Sequence, residues 1–184
     1  PTKILPIDMT SDFRSFEQEK FPYKLKLTSC SPLDVLMNET PTENGAPHKN
    51  GGGFVAATAR VDATAYVGPH AQVLGTSQVL GNARIEDYAV VSDSTVRDNA
   101  IVSGHARVER ESTVQDHAKV RDWGKVSRKS TVKDHAKVLE HATSMGEVCG
   151  GLATLKGVAV SNGSVTGNAM VDGAYAKDNL VNKG

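Results

Sequence analysis

The sequence predicts an all-β protein, most of which forms a parallel β-helix of about seven triangular coils. Two observations predict this fold. Aliphatic residues recur every six positions over much of the chain, and a second repeat of eighteen residues is superimposed on the first. A helix requires a period of 3.6 residues, which a six-residue repeat does not supply. Short strands separated by regular corners account for both periods.

The six-residue repeat is carried by fifteen positions, all valine or isoleucine, with one five-residue step before Val96. They are Val55, Val61, Val67, Val73, Val79, Ile85, Val91, Val96, Val102, Val108, Val114, Val120, Val126, Val132 and Val138. From Val61 on, Ala, Ser or Gly stands two positions before each of them. The repeat loosens at Ser144 and Gly150 and then returns from Leu155 to Val171. We expect these side chains to fill the axis of the coils, where burying one valine stabilises the fold by roughly 1.5–3 kcal/mol.

The eighteen-residue repeat sets the number of sides of each coil. The sequence Ser-Thr-Val begins at residues 94, 112 and 130. Three hexads therefore make one turn, and equivalent positions stack at the spacing of paired strands, about 4.8 Å.

Counting by coil assigns the polar residues to three corners. The first corner carries a series that we call the ring ladder: His70, Tyr88, His105, Trp123 and His141. The second carries Asn82, Asn99, His117 and His135, with Asp98, Asp116 and Asp134 beside them. The third carries Thr58, Thr76, Asp93, Glu111 and Lys129.

The composition divides the chain into three parts. Residues 1–38 contain two short strand candidates, which we interpret as a cap or as the end of a preceding domain. Residues 39–53 are polar and rich in Gly and Pro, as is typical of a linker. Residues 54–184 form the predicted β-helix. Cys30 and Cys149 leave one disulfide open, and the sequence does not decide whether they pair.

Charge and hydropathy exclude two classes of partner. The chain has 21 basic and 21 acidic residues, whereas a nucleic-acid binder would show a basic excess. No apolar run approaches the roughly 20 residues that span a bilayer. We therefore expect neither nucleic acid nor membrane as a partner. Because the chain starts at Pro1 without a signal peptide, we interpret it as a piece of a larger parent chain.

The repeats resemble a known family. The segments V-D-A-T-A-Y, V-G-P-H-A-Q, V-L-G-T-S-Q and V-L-G-N-A-R resemble the hexapeptide repeat of left-handed parallel β-helix proteins, from residue 54 to about 176. This resemblance alone implies a left-handed coil. The repeats rich in G-N-A-x-V and D-x-A-x-V also resemble the β-helix tails of secreted bacterial proteins, including virulence proteins of the Svx/AvrXca type. That second resemblance implies secreted or periplasmic localisation.

The first resemblance also implies two enzymatic alternatives. Many hexapeptide-repeat proteins are trimeric acyltransferases with a histidine at the subunit interface, for which His117 or His135 is our candidate. The hexads up to Val138 contain no insertion that could wall an acyl pocket, which argues against this activity. The related carbonic anhydrases bind zinc with three histidines, two of them five residues apart, a spacing that this chain lacks. We expect no cofactor.

The corner residues allow structural and functional interpretations. Rings at coil spacing would stack and stiffen the corner, or the ring ladder would bind polysaccharide. Asp98, Asp116 and Asp134 would hydrogen-bond backbone N–H groups at turns, or they would share a Ca²⁺ ion.

We expect a non-catalytic accessory module of a larger secreted bacterial protein, a rigid spacer whose ring ladder binds polysaccharide. The alternatives left open are the trimeric acyltransferase and a pure oligomerisation module, which would form a homotrimer.

Overall fold

A computed structural model describes residues 44–146, 148–173, 175–176 and 180–182. The predicted N-terminal segment, residues 1–38, lies outside them. The described residues contain strands and turns and no helix. They accordingly include no helix capable of crossing a membrane.

The described strands form a parallel β-solenoid, which confirms the predicted fold class. Strands β2 to β22 fall into seven successive triples, and each triple contributes one strand to each of three sheets. The left-handed sense of winding stays a prediction from the resemblance.

The first sheet, or first face, begins with an antiparallel strand and continues with parallel ones. It contains β1 (Gly45–Pro47), β2 (Phe54–Ala56), β5 (Gln72–Leu74), β8 (Val90–Ser92), β11 (Arg107–Glu109), β14 (Lys125–Val126), β17 (Thr143–Ser144), β20 (Val160–Ser161) and β23 (Tyr175–Ala176).

The second and third faces are parallel throughout. The second contains β3 (Arg60–Val61), β6 (Gln78–Val79), β9 (Thr95–Val96), β12 (Thr113–Val114), β15 (Thr131–Val132), β18 (Val148–Cys149), β21 (Val165–Gly167) and β24 (Leu180–Asn182). The third contains β4 (Tyr66–Val67), β7 (Arg84–Ile85), β10 (Ile101–Val102), β13 (Lys119–Val120), β16 (Lys137–Val138), β19 (Thr154–Lys156) and β22 (Met170–Asp172).

Strand register follows the eighteen-residue repeat. Val114 pairs with Val96 in the coil before it and with Val132 in the coil after it. All three are fully buried, as are the hexad positions from Val67 to Val138. Val55 and Val61 are only partly buried because they belong to the first coil, which has no further parallel coil beneath it. Aliphatic side chains thus fill the axis, as the sequence predicts.

The N-terminal end of the solenoid is partly covered by the chain itself. Strand β1 pairs antiparallel with β2, and its residues are exposed. This strand lies inside the predicted linker, so the described part of that linker is not free chain. An antiparallel strand on the first coil satisfies backbone groups that would otherwise form an open sheet edge.

The C-terminal coils replace some inward valines with polar residues. Ser144 and Ser161 occupy buried positions on the first face, which explains why the valine repeat loosens there. The Oγ atoms of Ser130 and Ser144 are 2.7 Å apart, and Ser161 donates to the carbonyl of Gly163. Buried hydroxyls with partners cost little stability.

Cys149 is an inward residue of the second face, where it pairs in register with Val132 and Val165. It is a free thiol and 1% exposed. Burial raises the pKa of this thiol to about 12, so it takes the place of a small apolar side chain. Cys30, with which the sequence left a disulfide open, lies outside the described residues.

Candidate functional site

The five residues of the ring ladder come together at the corner between the third and first faces. Their rings are stacked and nearly parallel, with interplanar angles of 4–13°. Successive ring centroids are 5.0, 5.1, 4.2 and 6.2 Å apart, from His70 to His141. The coil count made from sequence therefore places these rings correctly.

The backbone beneath the rings is fixed by two sets of hydrogen bonds. The amides of Tyr88, His105 and Trp123 donate to carbonyl oxygens of the next coil, at 2.9, 2.6 and 2.8 Å. In return, the carboxylate of Asp87 accepts from the amide of Gly104, and that of Asp122 from Glu140. These three rings thus extend from a corner whose backbone is hydrogen-bonded to the next coil.

The corner packs most closely under its largest ring. Gly124 follows Trp123 where other coils have alanine, and a Cβ there would lie 2.8 Å from the carbonyl oxygen of Val138. Glycine at this position permits the close approach of the Val138 carbonyl next to the indole-bearing residue.

Stacking leaves only part of each ring available to a ligand. Imidazoles cover part of the larger indole and phenol, so those two rings project beyond their neighbours. Trp123 is 57% exposed and Tyr88 is 48% exposed. The widest gap in the ring ladder separates Trp123 from His141. All five residues of the ring ladder are exposed, and Trp123 and Tyr88 provide its largest apolar rings.

Four cations flank the ring ladder in the coils around Trp123. On the third face, Lys119 pairs in register with Lys137. On the first face, Arg107 pairs in register with Lys125. Sequence reasoning missed these residues, although both pairs have the eighteen-residue spacing that identified the rings.

The second corner carries a smaller stack. The rings of His117 and His135 are parallel, with centroids 5.0 Å apart, and both residues are exposed. A groove at the N-terminal end of the solenoid is lined by β1, β2 and Val61, and neither histidine lines it. Their role as acyl-transfer bases stays a prediction.

The aspartates of the second corner form a regular hydrogen-bonded series. Asp98, Asp116 and Asp134 have φ angles of 58–64°, in the left-handed region. Their carboxylates accept from the backbone amides of the following coil, at 3.4, 3.0 and 2.9 Å. The amide of Asp134 lowers the pKa of the Asp116 carboxyl below its ordinary value.

These contacts give the three aspartates a structural role that does not require a metal. Within the ranges that the structure describes, no group of three or more His, Cys, Asp or Glu side chains is arranged to hold a metal ion. Their Ca²⁺ role stays a prediction without geometric support.

Comparison with known proteins gives no family assignment. No family model, curated protein or solved structure matches this chain.

Proposed function

We propose that this chain is a non-catalytic accessory module, a rigid solenoid that presents its ring ladder to polysaccharide. The observation that carries the proposal is the partly uncovered indole of Trp123 on a corner fixed from both sides. The outer part of the indole is not covered by the neighbouring imidazoles, and it offers an apolar surface to the C–H groups of a sugar, while the polar neighbours can hydrogen-bond its hydroxyls. A prearranged backbone lowers the entropic cost of binding.

The repeat pattern supports a more specific origin. We propose that the solenoid is a left-handed β-helix of the hexapeptide-repeat kind. It would belong to a larger secreted bacterial protein similar to the Svx/AvrXca type. Support comes from the six-residue sequence repeat together with the parallel coils. The rest of that larger protein would supply further activity.

Binding measurements on ring variants test the proposal. For a polysaccharide that the unchanged protein binds, Trp123→Ala and Tyr88→Ala should each weaken the affinity about tenfold. Each variant removes an exposed ring whose contact with the sugar contributes about 1–2 kcal/mol. Isothermal titration against soluble neutral and acidic polysaccharides measures the loss.

Leu152→Ala is the matched control, because Leu152 is an exposed apolar residue, 60% accessible, on the second corner. It should bind like the unchanged protein. Equal affinity for all three variants would refute the assignment of the site to the ring ladder. If no polysaccharide were bound, the remaining interpretations would be a rigid spacer or an oligomerisation module.

A further inference from the structure

The cations beside the ring ladder are arranged in a way that costs stability. Lys119 and Lys137 are directly opposite each other on neighbouring strands, as are Arg107 and Lys125. Like charges in register on one face of a sheet repel. Natural sequences usually avoid such pairs unless something else compensates for them.

Compensation inside the protein is incomplete. Lys125 forms an ion pair with Glu109. Among the described residues, no ion pair involves Lys119, Lys137 or Arg107. Three of these four cations therefore have no ion-pair partner within the part of the chain that the structure describes.

The acids of the same corner keep their negative charge, and each accepts from a backbone amide of the next coil. Asp122 accepts from the amide of Glu140, and the carboxylate of Glu140 accepts from the amide of Gly157. Both side chains are held at the backbone of the next coil, whereas the cations extend from the strands on either side. An anion placed over the ring ladder would meet cations on both flanks.

We propose that the ligand of this surface is an acidic polysaccharide, bearing carboxylate or sulfate groups and running along the solenoid axis. Its sugar rings contact the exposed parts of Trp123 and Tyr88. Its anionic groups bridge the in-register cation pairs, Lys119 with Lys137 and Arg107 with Lys125. This inference rests on the proposed function and specifies its substrate class.

The arrangement favours a polysaccharide over single-stranded nucleic acid. Nucleobases bind proteins by stacking on free aromatic faces. Here the ring faces are largely occupied by one another, at centroid distances of 4.2–6.2 Å. The surface offers ring edges and the outer part of one indole, which suit a nonplanar sugar better than an inserted base.

The test compares a charge variant with a matched control. Lys119→Gln/Lys137→Gln removes one in-register pair beside the rings. Arg60→Gln/Lys133→Gln removes the same charge away from the ring ladder, from strand β3 and from the residue that follows β15. Each variant is titrated with polygalacturonate, a sulfated glucan, unsubstituted glucan and single-stranded DNA at low and moderate salt.

We expect the Lys119→Gln/Lys137→Gln variant to bind the acidic polysaccharides at least about tenfold more weakly, since charge-assisted contacts are lost. The control should bind within about twofold of the unchanged protein. Added salt should weaken binding of the unchanged protein, because screening reduces the attraction of exposed charges. The midpoint temperature of thermal unfolding should not be lower in the Lys119→Gln/Lys137→Gln variant, because a repulsive pair has been removed.

Each other outcome overturns the inference in a distinguishable way. Equal binding of acidic and neutral glucans would refute the substrate class and leave the proposed function standing. If DNA bound as tightly as polygalacturonate, the surface would attract polyanions without specificity. The same conclusion would follow if Trp123→Ala left the affinity for polygalacturonate unchanged. No binding to any polysaccharide would refute both proposals.

Discussion

At the scale of single residues, the corners depend on side chains that tolerate a left-handed backbone. Eleven described residues other than glycine have positive φ, and six of them are aspartates. Aspartate is suited to this conformation because its short polar side chain can hydrogen-bond nearby backbone. In this solenoid the bond reaches a neighbouring coil, the preceding one for Asp93 and the next one for the other five, so each aspartate both forms a corner and connects two turns.

Asp116 should show this double role in its pH dependence. Its pKa is lowered in the folded state from an ordinary 3.8, chiefly by the amide of Asp134. The folded state therefore holds its proton less tightly than the unfolded state. The stability that this carboxylate contributes is present above pH 3.8 and is lost as the pH falls through the lowered value.

We expect Asp116→Ala to lower the free energy of unfolding at neutral pH by about 1–3 kcal/mol, through loss of the acceptor and because alanine is strained at a φ of 59°. The variant should also lose less stability than the unchanged protein on acidification below pH 3.8. Asp116→Asn is the control, because asparagine keeps an acceptor and tolerates positive φ. Thermal melts across the acid range measure both effects, and an unchanged acid response for Asp116→Ala would contradict the account.

At the scale of elements, each strand is too short to be stable alone and relies on its neighbours. Strand β12 contains only Thr113 and Val114 and pairs on both sides with strands of equal length. Thr113 is outward and partly buried, and Val114 is fully buried. The two residues of this strand therefore separate the contribution of the core from that of the surface.

Val114→Asp should unfold several neighbouring coils, because it replaces roughly 1.5–3 kcal/mol of apolar burial with a buried carboxylate. Thr113→Asp places the same group on the outside of the same strand and should be tolerated much better. Hydrogen exchange followed coil by coil measures the extent of opening. Equal protection in the two variants would show that the axis is not the source of stability.

At the scale of the whole molecule, the repeat made the architecture predictable. The six-residue repeat specified which residues point inward, and the eighteen-residue repeat specified which residues stack. The members of the ring ladder could therefore be identified from the sequence alone. The distances between ring centroids, the identity of the amide that each aspartate binds and the antiparallel strand β1 could not be predicted. They depend on rotamers and on pairing at an end, where no repeat constrains the chain.

The proposed binding surface was only half predictable for a similar reason. The rings could be identified because five of the histidines occupy the same position of the hexad, just before the small residue at a corner. Lys119 and Lys137 resemble many other surface lysines until the register places them opposite each other. Their significance comes from pairing and from the absence of an ion-pair partner among the described residues, which composition does not reveal.

The central claim is that the ring ladder is a polysaccharide-binding surface, and the emission of Trp123 tests it most directly. This residue is the only tryptophan of the chain, so the signal reports on that surface alone. We predict a saturable change in emission on titration with an acidic polysaccharide, weaker in high salt. Unchanged emission, with binding by calorimetry undiminished in Trp123→Ala, would contradict the claim.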